Sequence, residues 1–503
     1  MSDNVRQLLE TRVAKYREKT FLFSETDDRL WSYAEFDAAV NKTANLLRSH
    51  QIKKGDVVSL LMPNSAEYII AYFACWKIGA IAGPINSLLK PDEIAWAVSN
   101  SESKLVLAGS ELARSCEGSV TEQWPPVAIF DDVVKATNGC ADHLELVDLS
   151  TEDDAIIIYT SGTTGKPKGC LLTHGNLISN ARQISEWMGF GESDRLLTVM
   201  PLFHMNAVSV TTMTALYSGG SAVISPKFSV SKFWDIIQKY QVTSFGSVAT
   251  MLSMLLARYE SGEAKRPAGA SSLRFAMCGS APVPVEVLNR FEQAFNCLVI
   301  EGYGLSESTC RSTFNPPNEA RRPGSCGMPI GNEIKVVDEN DVEVADGELG
   351  EIVLRGPNIC KEYFKNPGAT TKAFANGWFH TGDIGYRDGD GFFYIADRKS
   401  DMIIRGGENI YPREIDDLLY QHSAVESAAV VGVPDELYGE EVTAFVVLKP
   451  GQKPSQDDLI AFCQKHLADY KCPKTIHFVD EIPKGPTGKL LKRELAKLLV
   501  QTP

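Results

Sequence analysis

The densest run of ligand-binding chemistry in this sequence is Thr160-Ser161-Gly162-Thr163-Thr164-Gly165-Lys166-Pro167-Lys168-Gly169. It follows the apolar run Ala155 to Tyr159, which reads as a strand. Glycines let the backbone come close to a ligand, hydroxyls and backbone N–H groups donate to phosphate oxygens, and Lys166 and Lys168 add positive charge. A Walker A loop needs four residues between its first two glycines, and Gly162 and Gly165 have only two between them, so this is a different phosphate loop. The plain alternative is a flexible surface turn, a costly use of so many donors at a strand end.

Four further segments carry reactive side chains, each with its own plain alternative. In Glu301-Gly302-Tyr303-Gly304-Leu305-Ser306-Glu307, a carboxylate beside a hydroxyl on a glycine-rich turn suits a magnesium ion holding a nucleotide phosphate. Tyr303 could instead be core and Glu307 solvated. In Trp378-Phe379-His380-Thr381-Gly382-Asp383, the aspartate after a tight turn can accept from both ribose hydroxyls, though such turns are common. Asp397 to Asn409 packs charges ahead of Gly406-Gly407 and reads as an exposed linker or a solvated hairpin. Pro483 to Arg493 places Lys489 on a Pro/Gly-framed loop, able to reach into another domain's cleft or to form a solvated basic tail. His204, in Met200-Pro201-Leu202-Phe203-His204-Met205-Asn206, is either a core histidine or a functional one.

The elements that must position these residues alternate strand and helix. Residues 34–49 read as an amphipathic helix, with Phe36, Val40, Ala44, Leu46 and Leu47 on one side. Val57 to Leu61 reads as a strand, Ala66 to Ile78 as a buried helix ended by Gly79, and Lys104 to Ala108 as a further strand. This βαβ rhythm predicts an α/β fold with parallel sheets. After about residue 320, short strands predict a β-rich subdomain: Ile334 to Val337, Gly350 to Arg355 and Phe392 to Ile395. Mixed elements follow: helices over Pro412 to Leu419 and Asp457 to Leu467, strands over Ala428 to Val433 and Val442 to Leu448. The expected organisation is a large multi-layer N-terminal domain, residues 1–399, and a small mobile α+β C-terminal domain, residues 400–503.

Length and composition bound the function. The chain has 503 residues, enough for two to four structural units. A formal net charge of -14 and no basic stripe argue against a nucleic-acid partner. The 11 cysteines form no CxxC pair, which fits reduced core thiols rather than a zinc site. The polar N-terminus, the lack of a long apolar run and the C-terminal Val500-Gln501-Thr502-Pro503 predict a cytoplasmic protein with no integral membrane segment and no peroxisomal signal.

Taken together and in order, the five segments resemble the adenylate-forming superfamily: acyl-CoA synthetases, aryl-CoA ligases, luciferase and the adenylation domains of peptide synthetases. Gly279-Ser280-Ala281-Pro282 also matches that family's adenine-side loop, and the resemblance runs from about residue 8 to about residue 495. Pro84-Ile85-Asn86 and Lys227-Phe228-Ser229 are similar in texture to carnitine-CoA-ligase-like members. The resemblance implies ATP, Mg2+ and coenzyme A as cofactors and a carboxylic acid as substrate. It implies that Thr160 to Lys168 cover the ATP phosphates and that Ser280, Ala281, Pro282 and Glu301 to Tyr303 frame the adenine, with Gly304 and Ile395 also at the nucleotide. Ser306 would touch the α-phosphate. Glu307, with Thr160, would hold magnesium, and Asp383 and Arg398 the ribose. Lys489 would bridge carboxylate and α-phosphate, Ser400 would be the hinge, and Gly406 and Gly407 would line a pantetheine tunnel. His204 would gate that tunnel. The family usually has Thr at Ser306 and often Asp or Lys at Ser400.

By the same resemblance, Asn206, Ser209, Ser247, Thr250, Met251, Cys278, Gly279, Cys310 and Arg311 would line the acyl pocket. That wall is mixed polar and small, which points to a small polar or short-to-medium acid. Arg311 either faces inward, where it could pair with a second carboxylate, or lies on the surface of a helix after the glycine turn. Three other readings stay open: loading of a carrier-protein phosphopantetheine, an inactive nucleotide-binding scaffold and a luciferase-like oxygenase. No carrier domain is expected after residue 503, and a homodimer is open.

Overall fold

The computed structural model describes residues 3–119, 124–160, 167–262, 266, 268–279, 283–484, 491–492 and 494–495. Two seven-stranded sheets form its body. In one, Leu298–Glu301, Phe275–Cys278, Ser244–Ser247, Arg195–Thr198, Ser221–Ile224 and Thr20–Ser24 run parallel in that order, with Leu30–Ser32 antiparallel at the edge. In the other, Asp154–Thr160, Ile81–Pro84, Val57–Leu61, Leu105–Ala108 and Val127–Ile129 are parallel. Lys168–Thr173 and Glu362–Tyr363 extend that sheet antiparallel.

A single apolar cluster joins the sheets. The helix Ala66–Lys77 is buried at all 12 of its positions, as expected for a helix apolar on every side. Ser65 caps its start by accepting from the Tyr68 N–H, and Gly79, at φ +72°, takes the left-handed conformation that ends it. Its one basic residue, Lys77, is neutralised by Asp37 at 2.5 Å. The predicted helix over 34–49 is Tyr33–Ser49, with Phe36, Val40, Ala44 and Leu47 buried.

The β-rich stretch is a five-stranded antiparallel sheet built from Glu333–Val337, Gly350–Arg355, Phe374–Ala375, Trp378–Arg387 and Phe393–Arg398. Beyond it a separate C-terminal domain has its own core, which includes Ile403, Ile415, Leu419, Val430, Ala444 and Leu459. A five-stranded sheet and the helices Pro412–Tyr420 and Gln456–Gln464 enclose that core. Arg413 ties this domain to the body: its backbone N–H donates to Asp397 at 2.9 Å and its guanidinium to the Ile395 carbonyl. All eleven cysteines are free thiols, nine of them buried. No described helix is long and apolar enough to cross a membrane.

Candidate active site

In open parallel sheets, ligands collect at the carboxyl ends of the strands. Here the strands ending at Ser247, Cys278 and Glu301 deliver Gly279 and the Gly302-Tyr303-Gly304 turn to one rim. A side chain at Gly304 would collide with the Cys310 carbonyl, so glycine lets the turn fold back on the following segment. That segment contains Thr309 at φ +65°, a rare conformation for a β-branched residue. Its hydroxyl donates to the Asn358 carbonyl at 2.7 Å, which holds the turn in place. Strained backbone of this sort gathers at functional sites because the surroundings must over-determine it.

A cavity of about 1380 Å3 opens against this rim and is lined by Thr160, Lys168, His204, Asn206, Gly304, Ser306, Glu307, Arg311, Asp383, Arg398 and Ser400. A second, of about 480 Å3, lies where the two domains meet and takes in Thr250, Cys278, Gly279, Glu301, Gly302, Tyr303, Ile395 and Arg413. Gly304, Asp383 and Arg398 border both.

Two carboxylates organise the larger cavity. Glu307 accepts from the Tyr363 hydroxyl at 2.9 Å and from Thr160 at 3.4 Å. Burial raises its pKa against these donors. Asp383 accepts from the Tyr303 hydroxyl at 2.6 Å, and Arg398 faces it at 3.4 Å across two paired strands. Burial in turn holds the Tyr303 phenol well above its usual range, so it stays a donor. Glu301, in the second cavity, is pushed by burial up to about 8 and is therefore neutral at pH 7, with the Gly324 N–H donating to it at 3.0 Å. His204 is pushed by burial down to about 4, so it is uncharged at neutral pH.

Among the described residues no group of three or more His, Cys, Asp or Glu is arranged to hold a metal ion, hence no preformed metal cage among them. Mg2+ keeps few protein ligands and completes its octahedron with phosphate oxygens and water. The buried Glu307 carboxylate beside the Thr160 hydroxyl is a hard-oxygen pair that fits this habit.

Several expected residues lie elsewhere. Ser161 to Lys166, Ser280 to Pro282 and Lys489 fall outside the described residues. Ser209 and Ser247 are buried but line neither cavity; their hydroxyls donate to Asn180 and to the Met277 carbonyl. Gly406 and Gly407, at φ +60° and +91°, form the tip of the hairpin joining Ile403–Arg405 to Glu408–Ile410 and also line neither cavity. Arg311 corrects the surface-helix alternative: it is 1% exposed and precedes the short strand Thr313–Phe314.

Sequence reasoning missed Tyr363, whose partner Glu307 lies 56 residues away with no local signal to link them. It also missed that Asn206–Met213 is a π-helix. Such a stretch is wound about one residue per turn wider than an α-helix and is frequent at functional sites.

Residues 9–364 match the AMP-binding enzyme family, and residues 414–489 match the AMP-binding enzyme C-terminal domain. The chain belongs to the AMP-binding enzymes. It is 35% identical to an oxalate–CoA ligase of Arabidopsis thaliana over 100% of both chains. It is 33% identical to a crotonobetaine/carnitine–CoA ligase of Citrobacter koseri over 98% of both. Among solved structures, ATP-bound MatB from Rhodopseudomonas palustris superposes with a TM-score of 0.92 at 29% identity, covering 98% of this chain and 99% of that one. This AMP-binding enzyme is an AMP-forming acid–CoA ligase of the adenylate-forming superfamily, with ATP and coenzyme A as co-substrates.

Proposed function

We propose that this ligase activates a small polar or short-chain carboxylic acid within the cavity bounded by Thr160, Glu307, Asp383 and His204. The observation that carries the reading is the pair of buried carboxylates, Glu307 and Asp383, each oriented by a tyrosine hydroxyl on one cleft wall. Residues 1–399 would carry nucleotide and acid, and residues 400–503 would turn about Ser400.

A carboxylate is a poor electrophile. Its oxygen attacks the ATP α-phosphorus, pyrophosphate leaves, and the acid becomes half of a mixed anhydride. Two anions must meet, so positive charge is needed where they do. In this reading Lys489, which follows Gly488 in the sequence, supplies that charge, and Lys168 assists from the cavity wall. A well-placed group of this kind is worth roughly 2.7–4 kcal/mol of barrier. Glu307 and Thr160 would hold Mg2+, which neutralises phosphate charge when bound. Asp383, fixed by Tyr303 and Arg398, offers its carboxylate to the ribose hydroxyls. Glu301, being neutral, sits beside the purine without repelling the nucleotide's anionic end.

The coenzyme A thiol then attacks the acyl carbon and AMP departs. Lys489 must leave and the thiol must enter, which one hinge rotation of the C-terminal domain accomplishes. His204 acts as a steric gate, since an imidazole neutral above pH 5 carries no charge to lend at pH 7. The relatives named above act on different acids, so the family alone leaves the acid open.

The test is pyrophosphate release with MgATP across a panel of acids, with and without coenzyme A. Coenzyme-A-dependent turnover on a short polar acid, lost in Lys489→Ala, supports the reading. Turnover confined to long-chain fatty acids would overturn it.

A further inference from the structure

Three lysine or arginine residues with at most 9% exposure stand in the described structure: Arg6, Lys77 and Arg311. Arg6 has Glu10 at 3.7 Å and Lys77 has Asp37 at 2.5 Å. Among the described residues Arg311 has no carboxylate partner. Its Nη1 makes one long contact to the Cys310 carbonyl at 3.4 Å, and its Nε and Nη2 have no hydrogen-bond partner. The guanidinium lies over the Phe314 ring, 5.4 Å from its centre. Its own backbone is held by Asn180, whose side chain donates to the Arg311 carbonyl at 2.7 Å. The side chain is thus buried on a fixed backbone with its charge uncompensated.

A buried unpaired charge is strongly unfavourable. Folds keep one where a ligand supplies the counter-charge. The neighbours point the same way. His204, Asn206 and Arg311 all line the larger cavity. The His204 Nε2 and both polar atoms of the Asn206 side chain are buried without a partner. These three residues hold five of the sixteen buried side-chain nitrogen and oxygen atoms that lack a partner among the described residues. An aliphatic acyl tail placed here would leave every one of them dry and unpaired.

We propose that the acid carries a second anionic group at its far end and that the Arg311 guanidinium receives it, with Asn206 and His204 completing the polar seat. This rests on the reading of this cavity as the acyl site and names its substrate class. A planar fork of N–H donors matches a carboxylate bidentately, so a dicarboxylate is the best fit. Arg311 follows Glu307 by four residues, so their α-carbons are at most about 14 Å apart, which bounds the span of this part of the cavity and puts the shortest diacids first in the test. Gly279 makes room for the group: a side chain there would collide with Arg311 Nη2.

The experiment compares kcat/KM for oxalate, malonate and succinate with acetate, propionate and butyrate, in the full-length enzyme and in Arg311→Met and Arg311→Lys. A site built for a charged partner rejects the analogue lacking it. The enzyme should prefer the diacids, and Arg311→Met should lower the diacid-to-monoacid ratio by roughly 100-fold or more. Arg311→Lys should restore part of that ratio. The melting temperature of Arg311→Met without acid should equal or exceed that of the parent, because an uncompensated buried charge has been removed. A merely structural arginine would lower it and leave the ratio alone. Sulfoacetate tells a demand for charge from a demand for a planar carboxylate: turnover dependent on Arg311 with either anion sustains the proposal. Monoacids turned over as well as diacids, or a ratio that moves less than about threefold in Arg311→Met, would overturn it and leave the ligase reading intact. Turnover of none of these six acids, with long-chain fatty acids turned over instead, would overturn both.

Discussion

Where Thr160, Glu307 and Asp383 line the main cavity, the carboxylates are met by hydroxyl donors inside the protein: Tyr363 for Glu307 and Tyr303 for Asp383. Where His204, Asn206 and Arg311 line it, the polar heads are buried and unmet. In the proposed assignment the first end takes ATP, the same ligand in every turnover, and can be oriented in advance by its own residues. The second end takes the variable substrate and is complete only when that substrate is present. A preset site gains rate by losing no reorganisation during the reaction. An incomplete one gains discrimination, because a wrong ligand leaves buried groups unpaired.

The contrast can be broken by experiment. Lys489→Ala should have the largest effect, lowering the adenylation rate by roughly 100- to 1,000-fold with little change in nucleotide affinity, as read by pyrophosphate release and ATP binding. Tyr303→Phe removes the donor that fixes Asp383 and should raise the KM for ATP by roughly 5- to 100-fold, with a smaller change in kcat. Tyr363→Phe does the same to Glu307, and the loss should appear as a weaker dependence on Mg2+ concentration, about tenfold at most because Thr160 remains. If either tyrosine variant instead shifted the acid preference, the division between the two ends would fail.

Two smaller effects come from protonation. Glu301 is displaced from an ordinary 4.5 to about 8, so the folded chain keeps a proton that the unfolded chain releases. The stability this contributes is full below pH 4.5 and is lost as pH rises through 8. Glu301→Gln should therefore flatten the pH dependence of the melting temperature across that window and gain roughly 1–3 °C near pH 8.5. His204→Asn should change rates without moving the pH profile of kcat between about pH 5.5 and 8, because the imidazole is already neutral there. A shifted profile would make it an acid–base group after all.

Legibility in the sequence tracked how local each signal was. Val57–Leu61 and Ala66–Lys77 could be read because a largely apolar run of strand or helix length has few other uses. The body's α/β class came from such runs alternating. The helix expected over Asp457 to Leu467 stops at Gln464, since Leu467 lies beyond the last regular turn. Asp383 could be singled out as a site residue but not tied to Tyr303, because that bond joins residues 80 apart. Arg311 was ambiguous for the same reason: Cys310-Arg311-Ser312 looks polar and exposed, and only the packing of Gly279, Asn180 and Phe314 around it makes it interior.

The π-helix at Asn206–Met213 bears on how this protein can change. One residue more than an α-helix needs turns everything upstream by about 100° relative to the downstream helix. Deleting a single position inside the bulge is therefore expected to rewind the segment and turn Asn206 relative to the cavity without substituting any cavity-lining residue. If the proposed polar seat holds, substrate choice becomes open to a change in chain length as well as to a change of residue.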